Sequence, residues 1–206
     1  MPKPIDHQKR KQQIVSASVK LFAEKGFAQV NFAMLAEACS ISRTLLYTYF
    51  KDKREIFNEA IDDVTSRVAI KHAEVMRSHQ SADAKIRQIC IPVFAMLFDN
   101  RDFICVVADV LSDYRRRGIY VVEKVEKHTV GLKRIISSLL EEAVAKGEYD
   151  RSVNVVRATE LIYSQFEAVA LRIAVTGNAE LSESIDLLDA ILFSYRSAET
   201  AARRFR

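Results

Sequence analysis

Residues 31–53 read NFAMLAEACSISRTLLYTYFKDK. The stretch predicts a short helix, a tight turn at Cys39-Ser40-Ile41-Ser42, a second short helix over Arg43–Phe50, and the start of a third. Asn31 suits the N-cap of the first helix, whose inner face carries Phe32, Leu35 and Ala36. On the second, Leu46 and Phe50 share one side and are expected to pack on Leu21, Phe22 and Leu35, while Thr44, Tyr47, Thr48 and Lys51 share the other. This is the layout of a helix-turn-helix whose second helix enters a DNA major groove. The hydroxyls and the ammonium can donate to phosphates or base edges. Arg43, near the helix N-terminus beside Ser42, can give two hydrogen bonds to guanine O6 and N7.

Working outward, Gln8 to Lys25 predicts a helix with Ile14, Ala17, Leu21 and Phe22 at helical spacing, stopped by Gly26. Asp52 is placed to cap a longer helix from Lys53 to about Ser78, with Glu55 three residues on as in a capping box. Its expected inner stripe is Ile56, Phe57, Ala60, Val64 and Val68. Five more helices are expected over 84–98 (with a kink at Pro92), 102–116, 120–146, 153–176 and 182–203, the last capped by Ser182. Gly118, Gly147 and Gly177 punctuate them. With only 5 Gly and 3 Pro in 206 residues and no convincing strand alternation, the chain reads as all-α.

The charge is uneven. Residues 1–54 hold ten basic and four acidic side chains, and residues 55–206 hold 21 and 23, so a head of +6 precedes a body of −2. A basic head suits a nucleic-acid partner for that part alone. The three cysteines, Cys39, Cys90 and Cys105, show no metal-ligand spacing, so a reduced, cytoplasmic setting is expected. The N-terminal MPKPIDHQKRKQQ lacks an apolar signal region, and no apolar run is long enough to span a membrane. Ser/His/Asp spacing, phosphate-cradling glycine loops and paired metal ligands are missing, which argues against an enzyme and leaves no cofactor to expect. His72 and His79 are too far apart along one helix to chelate together.

The 8–57 stretch resembles the TetR/AcrR family of bacterial transcriptional regulators. The resemblance rests on Gly26-Phe27, Leu35-Ala36, Ile41-Ser42, Leu46-Tyr47-Thr48-Tyr49-Phe50 and Lys53. It implies a three-helix DNA-binding head over 1–52 and a larger helical effector-binding and dimerisation body over 53–206. It also implies that Tyr47, Lys53 and Asn31 (where the family usually has Thr) contact phosphates, and that Arg43 and Thr44 read bases. There are two departures, Ser40 for the usual turn glycine and Cys39 for the usual alanine, and Thr44 stands where a small Gly or Ala is common.

The same resemblance implies a small-molecule effector in the body, and Phe94, Phe98, Tyr114, Tyr163 and Phe166 are the candidates to line its pocket, with His128, Gln165 and Arg172 as polar neighbours. The alternative is that these aromatics fill the core. Val155, Thr159, Ile162, Phe166, Val169 and Ile173 form one heptad-like stripe. Leu181, Ile185, Leu188, Leu192 and Tyr195, with Leu187 and Ile191, form another. Two such hairpins would build a four-helix bundle across a dimer axis. Together these readings give a homodimeric regulator, a repressor that binds a near-palindromic operator and is released by effector. The alternatives are a constitutive binder without ligand, an enzyme, or a membrane-surface bundle.

Overall fold

A computed structural model describes residues 7–118 and 123–197, without the side chains of 66–74, 123–126 and 128. The expectations for Val68, His72, Tyr120 and His128 therefore lie outside what is described. Nine helices are seen among the described residues: α1 (His7–Lys25), α2 (Phe32–Ala38), α3 (Arg43–Tyr49), α4 (Lys53–Arg77), α5 (Ala82–Asp99), α6 (Arg101–Arg116), α7 (Glu123–Ala145), α8 (Val155–Thr176) and α9 (Leu181–Tyr195). The fold is all-α, a helix-turn-helix head followed by a helical body. The chain divides into two compact units. One holds α1–α3, α4 as far as Thr65, and α6; the other holds the rest of α4 with α5 and α7–α9.

In the first unit α1 buries Ile14, Val15 and Phe22. Rings run on from there: Phe22 to Phe27 at 5.0 Å, Phe27 to Phe57 at 5.8 Å, and Phe57 to Phe103 at 6.1 Å between centroids. α6, expected with the body, packs on α1 instead and buries Phe103, Ile104, Val106 and Val110. Spacing alone does not say which helix the apolar side of α6 meets.

The turn after α1 is held from two sides. Gly26 has φ +83°, and an added Cβ would stand 3.6 Å from Asp109 Oδ2 as well as strain the backbone. The next amide, Phe27 N–H, donates to that carboxylate at 2.6 Å. From α4, Lys53 Nζ donates to the carbonyls of Phe27, Ala28 and Val30 at 2.6, 3.1 and 3.0 Å. An ammonium meeting three carbonyls that no helix satisfies is a strong local fastening.

In the second unit α5 packs on α8 and α9, which pack on each other. The core is Ile86, Val93 and Phe94 of α5, Ile136, Leu139 and Leu140 of α7, Ile162, Phe166 and Ile173 of α8, and Leu188 and Leu192 of α9. α5 is one helix through Pro92. Its first amides, Ala82 and Asp83, donate to the Glu148 carboxylate, while Asp83 accepts from Tyr149 OH and Arg196, each at 2.9 Å.

Two expectations about α9 are corrected. α9 was expected to continue to residue 203, but it ends at Tyr195. There Asp150 N–H donates to Tyr195 O and Ser197 N–H to Glu148 O, so the chain leaves the helix to pair with the α7–α8 turn. Ser182 does not cap α9 either. Glu180 holds the cap position without a side-chain bond, and Ser182 lies in the first turn.

Candidate nucleic-acid interface

The turn between α2 and α3 closes as a Schellman motif. Ile41 N–H donates to Ala36 O at 3.0 Å and Ser40 N–H to Glu37 O at 2.9 Å, with Ser40 left-handed at φ 52°. The position normally needs glycine, and here a serine bears the strain. Asn31 caps α2, its Oδ1 accepting from Ala33 and Met34 N–H at 2.9 and 3.1 Å. Ser42 caps α3, its Oγ accepting from Leu45 N–H at 3.1 Å. The two caps and the turn fix the rotation of α3 about its axis.

That rotation buries Leu46 and Phe50, as the sequence predicts, together with Phe22 and Leu35; Leu21 is half-buried. Ser42, Arg43, Thr44, Tyr47 and Thr48 are exposed, and Lys51 follows them, also exposed. Tyr47 stacks on Phe32 of α2, centroids 4.6 Å apart. The contact orients the ring and leaves its hydroxyl at the surface. Thr48 Oγ1 donates to Leu45 O at 2.7 Å, so its proton is used within the helix. Tyr49 is half-buried, with the His7 ring 5.7 Å away.

Two expected phosphate contacts have other work. Asn31 is exposed, but its carbonyl oxygen is engaged as the cap, which leaves the amide N–H groups to face outward ligands. Lys53 is half-buried with its ammonium on the three carbonyls, over the Phe27 ring at 4.7 Å. Burial, more than the nearby Arg117, pulls its pKa below that of an ordinary lysine, while Asp113 and Asp109 act the other way. The start of α4 is capped as predicted, with Asp52 Oδ1 accepting from Arg54 and Glu55 N–H. Glu55 reaches back one residue farther than a standard capping box, to Lys51 N–H at 2.7 Å.

The sequence reading overlooked Leu45, which is 40% exposed on α3. Helical geometry held the signal: Leu45 is three residues from Thr48 and lies off the buried Leu46–Phe50 side.

The proposed pocket residues do not form one group. Phe94 and Phe166 are buried ring against ring at 4.5 Å, with Tyr163 at 6.1 Å from Phe166. Tyr163 OH donates to Thr129 Oγ1 at 2.8 Å, and Phe98 is half-buried. Tyr114 belongs to the other unit, where Arg54 lies over its ring at 5.6 Å.

Residues 14–60, which hold the whole of α2, the turn and α3, match the sequence profile of the bacterial regulatory proteins of the tetR family. Over that segment the chain carries the DNA-binding head of TetR/AcrR-family regulators. It is 22% identical over 155 residues to the fatty acid metabolism regulator protein of Bacillus subtilis, across 75% of this chain and 78% of that one. A TetR-like transcriptional regulator from Rhodococcus superposes with a TM-score of 0.69 at 22% identity, over 94% and 96% of the two chains. The fatty acid degradation regulator of Bacillus halodurans does so with a TM-score of 0.71 at 18% identity, over 89% and 94%. At such identities the superpositions speak for the fold. The protein is a DNA-binding transcriptional regulator. No described helix is long and apolar enough to cross a membrane.

Proposed function

We propose that the protein is a dimeric repressor that reads a near-palindromic operator with α3 and is released by a small molecule held in the second unit. The observation that carries the DNA half of this reading is the outward face of α3: Ser42, Arg43, Thr44, Tyr47 and Thr48 exposed together, and Lys51 beside them, on a helix whose rotation two caps and a turn determine. The DNA-contacting head comprises residues 1–52, and the effector and dimerisation part lies within 53–206, apart from α6 and the start of α4, which belong to the head's unit. Arg43 and Thr44 meet bases; Asn31, Ser42, Tyr47 and Lys51 meet phosphates, Thr48 lies on the same face with its methyl group free to contact DNA, and Lys53 positions the head.

The dimer face lies on the outer side of α8 and α9. The stripes read from spacing are largely turned inward, since Thr159, Ile162, Phe166, Val169 and Ile173 are buried, as are Leu188 and Leu192. Leu161, Leu171, Val175, Leu187 and Phe193 remain exposed, and a second copy would cover them. α4 runs unbroken from the head at Lys53 to Arg77 in the second unit, so it can pass an effector's preference between two head spacings. Two relatives named for fatty acid metabolism and degradation make acyl compounds the first effectors to try.

One observation favours a regulator without effector: the ring-on-ring packing of Phe94 and Phe166 fills the place where a ligand was expected. Fluorescence anisotropy on the duplex upstream of the protein's own coding region, against a scrambled duplex at about 150 mM salt, tests the reading. Selective binding of two protomers, reversed by an acyl compound, is expected. Selective binding that no acyl compound shifts leaves the constitutive reading. Equal, weak binding to both duplexes of this and other selected sequences overturns the regulator assignment.

A further inference from the structure

The first unit exposes two large apolar side chains among its described residues, Leu45 and Tyr47, and both are on α3. Tyr47 has an explanation in its stack on Phe32 and its outward hydroxyl. Leu45 calls for another. It is the third residue of α3, and N-terminal positions of a recognition helix are those that reach base edges. At 100° per residue it stands next to the Thr44–Thr48 side, away from buried Leu46 and Phe50. Its backbone N–H is bonded to Ser42 Oγ and its carbonyl accepts from Thr48 Oγ1, so both neighbouring turns hold it in place. Arg43 and Lys51, exposed at the start of α3 and just past its end, give this element a charge that suits a polyanion and not an apolar protein surface.

In the major groove a base pair offers one apolar group, the C5-methyl of thymine. We propose that Leu45 is a specificity-determining residue that packs on a thymine methyl in each half-site. This rests on the DNA-binding reading above and adds to it the kind of base edge recognised. Arg43 would supply a hydrogen-bonded contact to guanine, and Leu45 a contact that needs no hydrogen bond. The operator half-site then contains a thymine whose methyl, rather than whose pairing edge, is recognised.

Deoxyuridine lacks that methyl and keeps every hydrogen-bonding atom of thymine. The full-length protein is used to select its preferred duplex from a pool of random sequence. Each thymine is then replaced by deoxyuridine at matching positions of both half-sites, and affinity is read by fluorescence anisotropy for wild type and Leu45→Ala. At one position wild type should bind about fourfold more weakly per half-site, the worth of one buried methyl group. Leu45→Ala should bind the thymine and deoxyuridine duplexes equally, with unchanged helical signal and salt dependence, because the side chain it removes is exposed. If no thymine position affects wild type, or if Leu45→Ala still tells thymine from deoxyuridine, the assignment of Leu45 is overturned while the DNA-binding reading stands. If the pool yields no preferred duplex, the DNA-binding reading itself falls and this inference with it.

Discussion

On α3 and just beyond it the exposed side chains are Arg43, Thr44, Thr48 and Lys51 with Leu45 and Tyr47; on α8 and α9 they include Leu161, Leu171, Val175, Leu187 and Phe193. Both sets lie opposite a buried stripe, so amphipathic spacing alone gives them the same description. They differ in what could cover them. Hydroxyls and cations lose little by staying in water and gain by meeting phosphates, whereas five apolar side chains lose free energy until an equally apolar surface meets them. The first face needs an exact orientation to be useful. The second needs only area and shape.

The largest effect should come from placing charge on the second face. Leu171→Glu with Val175→Glu, both on exposed positions, should leave the protomer folded and turn the dimer into monomers in sedimentation velocity. Operator affinity should then drop on the order of 100-fold, because two linked half-site contacts become one. A double variant that remains a dimer would move the interface away from α8 and α9.

Arg43→Ala tests the first face. It should cost about 1–3 kcal/mol on the selected duplex and much less on a scrambled one, since a bidentate contact to guanine discriminates and a phosphate contact does not. Equal losses on both duplexes would make Arg43 a phosphate contact and leave base reading to Thr44 and Leu45.

The two lysines beside α3 sharpen the contrast between contact and support. Lys53→Met should lower stability by about 2 kcal/mol, since three carbonyls lose a charged donor, and should leave the salt dependence of DNA binding as it was. Lys51→Ala should do the reverse: unchanged melting, and a log–log salt slope shallower by about one per protomer. Titrations of both variants against salt, with thermal melts, separate the roles. A shallower slope for Lys53→Met would mean that its ammonium leaves the carbonyls when DNA binds.

Much of this was legible in the sequence, and the reasons are local. The caps Asn31 and Asp52, the stop at Gly26 and the inward pair Leu46 and Phe50 follow from residue type and spacing within one or two turns of helix. The failures share a different property. That α6 packs on α1, that Lys53 turns to the carbonyls after α1, and that α9 stops where it meets the α7–α8 turn are all decided by residues far away in the chain. Asp109 and Phe27 are 82 positions apart, and neither carries a mark of the other. The aromatic set leaves a pocket and a filled core both open in the sequence, because aromatic content is the same for the two; the pairing of Phe94 with Phe166, and the place of Tyr114 in the other unit, come from contacts that spacing does not encode.

The smallest expected effect concerns what holds the first face in register. Ser40 sits at φ 52° in the Schellman turn that aims α3. A side chain there costs about 1–2 kcal/mol, and glycine relieves that while losing roughly 0.5–1 kcal/mol to its freer unfolded chain. Ser40→Gly should therefore gain about 0.5–1 kcal/mol, or about 1–4 °C in melting temperature. The hydrogen bonds from Ile41 and Ser40 that close the turn are backbone bonds, so the aim of α3 should survive and operator affinity should stay the same. A comparable substitution on α8 would have no turn to relax. If Ser40→Gly melts higher but binds DNA less well, the strained serine is holding α3 at an angle that a relaxed turn does not keep, and the first face depends on strain as well as on caps. If it melts lower, the Ser40 side chain contributes more than its backbone strain removes.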